Sequence, residues 1–226
     1  MINKLLYLYQ FLRNIYDNLF SNKLSEIKIL KKYLNSKIIF FDIGYNLGFE
    51  TNKIIKNFSK KILEVHAFEP NPNIKINTPP NVRLNRVAIS NKKKKNRKFI
   101  IKKISSSSGL KTYIKTNSKD EEIIVKTISL KDYCKKNNVN KIDLMKIDVE
   151  GAELECLLSL GRYIQNIKLL KVELTNQNIF EVINFLSKHS FEFLGVTNTK
   201  YVNLKFSCSN AFFLNSKYRK NFRNIR

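Results

Sequence analysis

The sequence contains no tryptophan and is poor in cysteine, proline and glycine, with three, four and six of these residues among 226. The cysteines, Cys134, Cys156 and Cys208, are too far apart for a metal-binding motif, and their odd number does not suit a disulfide framework. This pattern favours a reducing compartment, so we expect a cytoplasmic protein. No apolar run approaches the roughly 20 residues that a membrane-spanning helix needs. The N-terminal stretch also lacks a small-residue cleavage site, so we predict no signal peptide.

Acidic residues are scarce as well, with 18 Asp and Glu against 42 Lys and Arg and a formal net charge of +24. Such a charge attracts anions, which leaves three classes of partner: nucleic acid, an anionic membrane surface and an anionic substrate. The alternative is compositional bias in a chain rich in Lys, Asn and Ile. The densest basic run, residues 92–98, lacks the interleaved aromatic residues of a single-strand-binding surface, so nucleic acid is the less favoured partner.

Residues 1–34 are predicted to form a helical extension that precedes the main domain at residues 35–226. Apolar residues recur there at intervals of three or four, which is typical of an amphipathic helix: Leu5, Leu8, Leu12, Ile15 and Leu19. We expect this apolar face to pack on the domain. The alternative is a basic amphipathic helix that rests on the inner face of a membrane.

Short apolar runs alternate with amphipathic stretches beyond residue 35, which predicts βαβ units and a mainly parallel sheet. The predicted strands are residues 37–42, 61–69, 82–87, 142–149, 167–174, 191–196 and 210–214, the last of them a candidate antiparallel strand. The predicted helices are residues 50–58, 129–136, 153–160 and 179–188, and residues 99–101 and 123–125 are predicted to form a hairpin-like insertion. The fold class is therefore α/β and Rossmann-like, with seven strands and helices on both faces.

Two glycines, Gly44 and Gly48, follow the first predicted strand, where a ligand can approach the backbone closely. A dinucleotide-binding turn would need another glycine at the position of Phe49, so a nucleoside cofactor without a pyrophosphate fits better. Glu69 ends the second strand, where its carboxylate can accept hydrogen bonds from both ribose hydroxyls. The alternatives are that the glycines only close a tight turn and that Glu69 is a capping or solvated residue.

The fourth main strand carries Lys146 and runs into Asp148 and Glu150. Because unpaired charges are costly to bury, we expect this end of the strand to open into a cleft. In an extended chain the two carboxylates share one face, where they can differ in pKa and act as a base or hold a divalent metal. We favour the reaction without a metal. The alternative is that one carboxylate caps the next helix and the other pairs with Lys146.

Three motifs resemble the FkbM family of class I methyltransferases: FDIGYNLG at residues 41–48, AFEPNP at residues 67–72 and LMKIDVEGAE at residues 144–153. The resemblance runs from about residue 38 to residue 174, and a weaker similarity is present at residues 210–214. It implies a class I methyltransferase fold with S-adenosylmethionine bound over the ends of the first two strands. Tyr45 departs from the family pattern, since a small residue usually follows the first glycine.

The resemblance also implies where the cofactor lies. Asp42 and Gly44 are expected near its methionine portion, Glu69 on the ribose, and residues 87–90 beside the adenine. The predicted cofactor-binding residues are therefore Asp42, Gly44, Asn46, Gly48, Glu69, Ala88 and Ser90. The predicted catalytic residues are Lys146, Asp148 and Glu150.

The expected reaction is methylation of a hydroxyl on a small molecule or a glycan sugar, a range that the resemblance suggests. The alternatives are an RNA ribose methyltransferase and a non-catalytic binding protein that retains the fold. Two further features are less specific. Residues 105–109, four serines and a glycine, are a candidate substrate lid or a linker, and Glu173 is a candidate substrate contact or a surface ion-pair residue.

Overall fold

The computed structural model describes residues 25–35, 37–93, 95–203 and 205–222. The strands in these ranges are β1 (Ile38–Ile43), β2 (Ile62–Phe68), β3 (Val82–Asn85), β4 (Ala88–Ile89), β5 (Asn96–Ile101), β6 (Gly109–Leu110), β7 (Glu121–Ile128), β8 (Ile142–Ile147), β9 (Ile167–Thr175), β10 (Phe191–Val202) and β11 (Lys205–Asn215). The α-helices are α1 (Glu26–Tyr33), α2 (Phe49–Phe58), α3 (Leu130–Lys136), α4 (Glu153–Ser159) and α5 (Ile179–Lys188). Short 3-10 helices occupy Ser105–Ser107, Gly161–Asn166 and Ser216–Phe222.

The main sheet has seven strands in the order β10-β11-β9-β8-β1-β2-β3. Strands β3, β2, β1, β8 and β9 are parallel, whereas β11 runs antiparallel to both β9 and β10. This topology confirms the predicted α/β, Rossmann-like fold with a mainly parallel sheet and an antiparallel final strand. The apolar sequence of β1 suits its central place, because a parallel strand covered on both faces is buried almost throughout.

Alternating residues of the sheet contribute to two separate cores. On one face, Phe41, Met145, Leu170 and Phe213 pair directly across four strands and pack against α3, α4 and α5. On the other face, residues such as Phe40 and its partner Leu144 pack against α1 and α2. The sheet therefore has helices on both faces, as predicted.

A buried lysine joins α1 to the domain. Lys171 is only 2% exposed, and its Nζ lies 2.8 Å from Glu26 Oε1 and also contacts the carboxylate of Glu50. The described end of the predicted extension thus packs on the sheet, while the stripe from Leu5 to Leu19 lies outside the described residues. The domain boundary at residue 35 stays a prediction. None of the described helices has the length and apolar character that spanning a bilayer requires.

The predicted insertion forms a second, four-stranded sheet in the order β4-β7-β5-β6. Strands β5 and β7 pair antiparallel over the residues predicted as a hairpin. The predicted strand at residues 82–87 is wrong at its end, because β3 stops at Asn85 and β4 belongs to the smaller sheet. The Asn85 side-chain amide donates to the carbonyl oxygens of Ala67 in β2 and Arg83 in β3. The backbone N–H of Val87 donates to the Asn85 carbonyl at the turn between β3 and β4.

The last two strands are longer than predicted. Strand β10 continues to Val202 and β11 begins at Lys205, so residues 197–202 and 205–209 extend the hairpin past the apolar segments. These added residues are mostly polar, and the pairing register shifts between Thr197 and Lys200. A mixed polar pattern with a bulge gives no clear strand signal in the sequence.

Candidate cofactor and catalytic site

A cavity of about 460 Å³, which we call the central cavity, lies at the carboxyl ends of the parallel strands. Ligands of open α/β sheets bind at this edge. Eight of the ten predicted site residues line the cavity: Gly44, Asn46, Gly48, Glu69, Ala88, Lys146, Asp148 and Glu150. The other two, Asp42 and Ser90, do not.

The turn after β1 requires both of its glycines. Gly44 has φ +88°, and a Cβ atom there would lie 1.8 Å from the carbonyl oxygen of Asp148. Gly48 has φ +74°, and a Cβ atom would lie 2.3 Å from the Tyr45 ring. Tyr45 itself is only 3% exposed and belongs to the core on the α1 and α2 face, so its bulk packs beneath the turn.

We expect Gly44→Ala to lower the free energy of unfolding by about 3 kcal/mol or more, because it combines a strained φ with a backbone clash. The matched control is Gly161→Ala, where φ is +51° but the nearest contact is the Lys131 side chain at 3.5 Å. Its expected cost is about 1–2 kcal/mol, from the left-handed conformation alone. Urea unfolding of both variants checks the prediction. Equal losses of unfolding free energy in the two variants would mean that the clash with Asp148 adds nothing to the cost of Gly44→Ala.

Glu69 lies directly after β2 and is 5% exposed. Its Oε2 accepts a hydrogen bond from the backbone N–H of Asn46, and its Oε1 accepts one from the N–H of Asn71, both at 2.8 Å. Burial raises the pKa of Glu69, while the two N–H donors act in the opposite direction. Each oxygen keeps a further lone pair, so the oriented carboxylate can still accept bonds from two hydroxyls.

Asp42 lies beneath the glycine turn and is 1% exposed. Its carboxylate accepts from the Thr51 hydroxyl and from Lys146 Nζ, the latter at 3.1 Å. Lys146 Nζ also donates to the carbonyl of Gly44 at 2.8 Å and lies 3.7 Å from Asp148 Oδ2. Burial disfavours the ammonium charge, but the neighbouring carboxylates outweigh burial and raise the pKa of Lys146. Asp42 thus orients Lys146 from outside the cavity.

Ser90 is directed away from the cavity, although Ala88 and Ile89 line it. The residue is 2% exposed, its hydroxyl donates to the Glu155 carboxylate, and Arg97 donates to both Ser90 and Glu155. This network joins the smaller sheet to α4. The geometry therefore supports Ala88, and not the Ser90 side chain, as a wall of the cavity.

Three carboxylates come together at the ends of β8 and β9. The cluster consists of Asp148, Glu150 and Glu173. Each contributes one carboxylate oxygen, and these three oxygens lie within 4.8 Å of one another. The expected extended arrangement of Asp148 and Glu150 is wrong, because β8 ends at Ile147 and Glu150 has φ +56°. A turn, and not a shared strand face, brings the pair together and adds Glu173 from β9.

Glu153 holds this turn in place. It is fully buried, and its Oε1 accepts from the N–H groups of Val149 and Gly151, both at 3.1 Å. Its Oε2 accepts from Asn178 at 2.6 Å. The capping of the next helix considered for Asp148 or Glu150 is not found, because the N-cap of α4 is Ala152 and makes no side-chain cap hydrogen bond. The alternative pairing of Asp148 with Lys146 is present at 3.7 Å.

The cluster has carboxyl groups that titrate near neutral pH. Burial, followed by the charges of Asp148 and Glu153, raises the pKa of Glu150 to about 7. Burial and the charges of Asp148, Glu150 and Glu153 raise the pKa of Glu173 to about 8. A carboxyl group with such a pKa can exchange a proton with a bound ligand at neutral pH.

Residues 42–193 match the sequence profile of the Methyltransferase FkbM domain, which covers all three motifs apart from Phe41. The chain belongs to the FkbM methyltransferase family. The matched residues form a methyltransferase domain, and S-adenosylmethionine is the cofactor that the family resemblance implies. The residues at the cavity fit this cofactor, because the glycine turn lines it and two backbone N–H groups orient the Glu69 carboxylate to accept hydrogen bonds from a ribose.

Solved structures with similar folds share little sequence with the chain. A methyltransferase FkbM from Methylobacillus flagellatus KT has 14% identity and a TM-score of 0.49, with 78% of this chain and 43% of that chain covered. The present chain thus spans less than half of that protein. A ribosomal RNA methyltransferase from Plasmodium falciparum has 14% identity and a TM-score of 0.49, with 84% and 93% covered. TrmK from M. capricolum, in complex with S-adenosyl-homocysteine, has 13% identity and a TM-score of 0.47, with 85% and 69% covered.

No curated protein matches the sequence.

The extended hairpin of this FkbM domain contributes residues that the sequence did not indicate. Lys200, Ser207 and Cys208 line the central cavity beside Glu173. Their strands were predicted to end before them, so only the structure brings them to the site. The serine-rich segment at residues 106–109 also lines the cavity, which places the candidate lid at the site, although its movement stays a prediction.

Acidic residues outnumber basic residues at the central cavity, in contrast to the chain as a whole. The acidic lining residues are Glu50, Glu69, Asp148, Glu150 and Glu173, and the basic lining residues are Lys146 and Lys200. An excess of carboxylates favours a cationic group such as a sulfonium and disfavours phosphates. The net charge of +24 therefore does not describe the site.

Proposed function

We propose that the protein is an O-methyltransferase that methylates a hydroxyl group of a small molecule or a glycan sugar. The observation that carries this proposal is the cluster of Asp148, Glu150 and Glu173 within 4.8 Å at the cofactor cavity. The raised pKa of Glu150, about 7, suits a general base that works near neutral pH.

When bound, S-adenosylmethionine supplies a methyl group on a sulfonium, and this group needs an in-line nucleophile. Glu150 would take the proton of the acceptor hydroxyl, because it lines the cavity and has a pKa of about 7. Asp148 is held by Lys146 as a fixed anion beside it. We assign Gly44 to the methionine portion of the cofactor, Glu69 to the ribose and Ala88 to the adenine side.

We expect Glu69→Ala to weaken binding of S-adenosylmethionine and S-adenosylhomocysteine about 100-fold, because two hydrogen bonds to a charged acceptor are lost. Calorimetric titration measures this loss. The matched control is Glu64→Ala on the same strand, where the side chain is 44% exposed and does not line the cavity. Thermal unfolding without ligand checks that both variants fold. Unchanged affinity in a folded Glu69→Ala variant would contradict the ribose assignment.

RNA ribose methylation is the second candidate, and the net charge of +24 is the observation that favours it. The lining of the central cavity opposes it, because acidic residues outnumber the two lysines there and provide no excess of positive charge for a phosphate. Salt dependence separates the two candidates, because phosphate-driven RNA binding weakens steeply as salt rises. Methyl transfer to RNA, together with such a salt dependence, would favour this alternative over a sugar acceptor.

A further inference from the structure

A second cavity of about 350 Å³ lies between the extended hairpin and the ends of β8 and β9. We call it the hairpin cavity. It shares four lining residues with the central cavity, namely Asp148, Glu173, Lys200 and Cys208. The remaining lining residues are Asn198, Thr199, Ser209 and Asn210. A ligand in the hairpin cavity would therefore reach the carboxylates that border the cofactor site.

The strand register explains why polar groups converge there. Asn210 is paired with Glu173 on one side and with Thr197 on the other, and paired residues lie on the same face of a sheet. The register then shifts between Thr197 and Lys200, and Lys200 is paired with Cys208. Such an irregularity redirects side chains, and irregularities of this kind are common next to binding sites.

Two buried hydroxyl groups at the hairpin lack hydrogen-bond partners among the described residues. Thr197 is 8% exposed and pairs with Asn210, so its hydroxyl lies on the same face of the sheet as Asn210, whereas Ser209 is 1% exposed and pairs with Leu174 on the opposite face. Buried polar groups without partners are uncommon in native proteins and point to a missing water or ligand. This observation is independent of the carboxylate cluster.

We propose that the hairpin cavity binds the methyl acceptor and that this acceptor is a neutral, hydroxyl-rich molecule of the sugar class. The proposal rests on the proposed O-methyltransferase function. The described lining residues of the hairpin cavity include no aromatic or aliphatic side chain. An apolar acceptor would leave their amide, hydroxyl and carboxyl groups unpaired, whereas sugar hydroxyls both donate to and accept from such groups. The charges of Asp148 and Lys200 offset each other, and Glu173, with a pKa of about 8, is mostly protonated at neutral pH, so the cavity offers no net positive charge to a phosphorylated acceptor.

The experiment uses the full chain saturated with S-adenosylhomocysteine, and saturation-transfer NMR detects ligand binding. The probes are the methyl glycosides of glucose, galactose, mannose and N-acetylglucosamine, with glucose 6-phosphate and a short RNA hairpin as anionic comparisons. Variants Asn210→Ala and Lys200→Ala test the cavity. The matched control is Lys205→Ala, an exposed lysine of the same hairpin that lines neither cavity.

We expect at least one neutral glycoside to bind, with a dissociation constant that rises about tenfold in Asn210→Ala and Lys200→Ala and does not change in Lys205→Ala. S-adenosylhomocysteine affinity, measured by calorimetry, should stay the same in Asn210→Ala and Lys205→Ala, because neither residue lines the central cavity. Three results would each overturn the proposal. The first is cofactor binding without glycoside binding, the second is glycoside binding with the same affinity in both cavity variants, and the third is a preference for the anionic probes. A failure of the intact chain to bind S-adenosylhomocysteine would instead overturn the proposed function on which it rests.

Discussion

Replacing Lys146 with Met is expected to lower the free energy of unfolding by roughly 3–5 kcal/mol. Lys146 and Asp42 are 4% and 1% exposed, and their 3.1 Å ion pair lies beneath the cofactor cavity. Removing the ammonium leaves the Asp42 carboxylate buried with only the Thr51 hydroxyl as a side-chain donor. It also removes the donor to the carbonyl of Gly44, so the glycine turn should lose its alignment and cofactor binding should weaken.

Urea unfolding and calorimetry with S-adenosylhomocysteine measure the two effects. The matched control is Lys98→Met, in which the lost pair with Glu122 involves a lysine that is 57% exposed, so we expect little change. The double variant Lys146→Met with Asp42→Asn should regain part of the stability, because the uncompensated charge is gone. Without that partial recovery, the loss in the single variant would reflect packing and not the buried charge.

Local patterns in the sequence were sufficient to predict most of the sheet. The apolar runs at residues 38–43 and 142–147 are buried parallel strands, and helix α5 has the predicted bounds at residues 179–188. Errors occurred where a local turn or long-range pairing outweighs periodicity. Strand β3 ends at Asn85, where the Val87 N–H donates to the Asn85 carbonyl, and the polar second half of β10 is a strand only because β11 pairs with it.

The candidate site shows the same division. Gly44 and Glu69 were predictable because a strand–turn–helix motif fixes their backbone position at the sheet edge. The side chains of Asp42 and Ser90 point into buried polar networks, and their sequence motifs do not indicate this direction. Glu173 was a candidate from the sequence because it lies near the carboxyl end of β9. Cys208, in contrast, reaches the cavity through pairing between β9 and β11, which depends on residues more than 30 positions apart.

Replacing Glu150 with Gln is expected to lower kcat by about 10²–10⁴-fold if Glu150 is the general base. The base works only when ionised, so kcat/KM of the wild type should rise with pH through about 7, the raised pKa of Glu150. Asp148→Asn removes a charge that raises this pKa and should move the rise to lower pH. The rate of S-adenosylhomocysteine formation, measured from pH 5 to 9 with a bound glycoside, checks both expectations. An unchanged profile in Asp148→Asn would contradict the assignment.

Stability gives a second test of the same carboxyl group, and it needs no acceptor. The folded-state pKa of Glu150, about 7, lies above the ordinary value of 4.5, so the folded chain binds more protons than the unfolded chain between these two values. This group therefore makes the free energy of unfolding fall as pH rises from 4.5 to about 7. Glu150→Gln should reduce that fall, whereas Glu181→Gln, at an exposed residue of α5, should leave it unchanged. If both variants follow the wild-type curve, Glu150 does not have the perturbed environment that would make it a base at neutral pH.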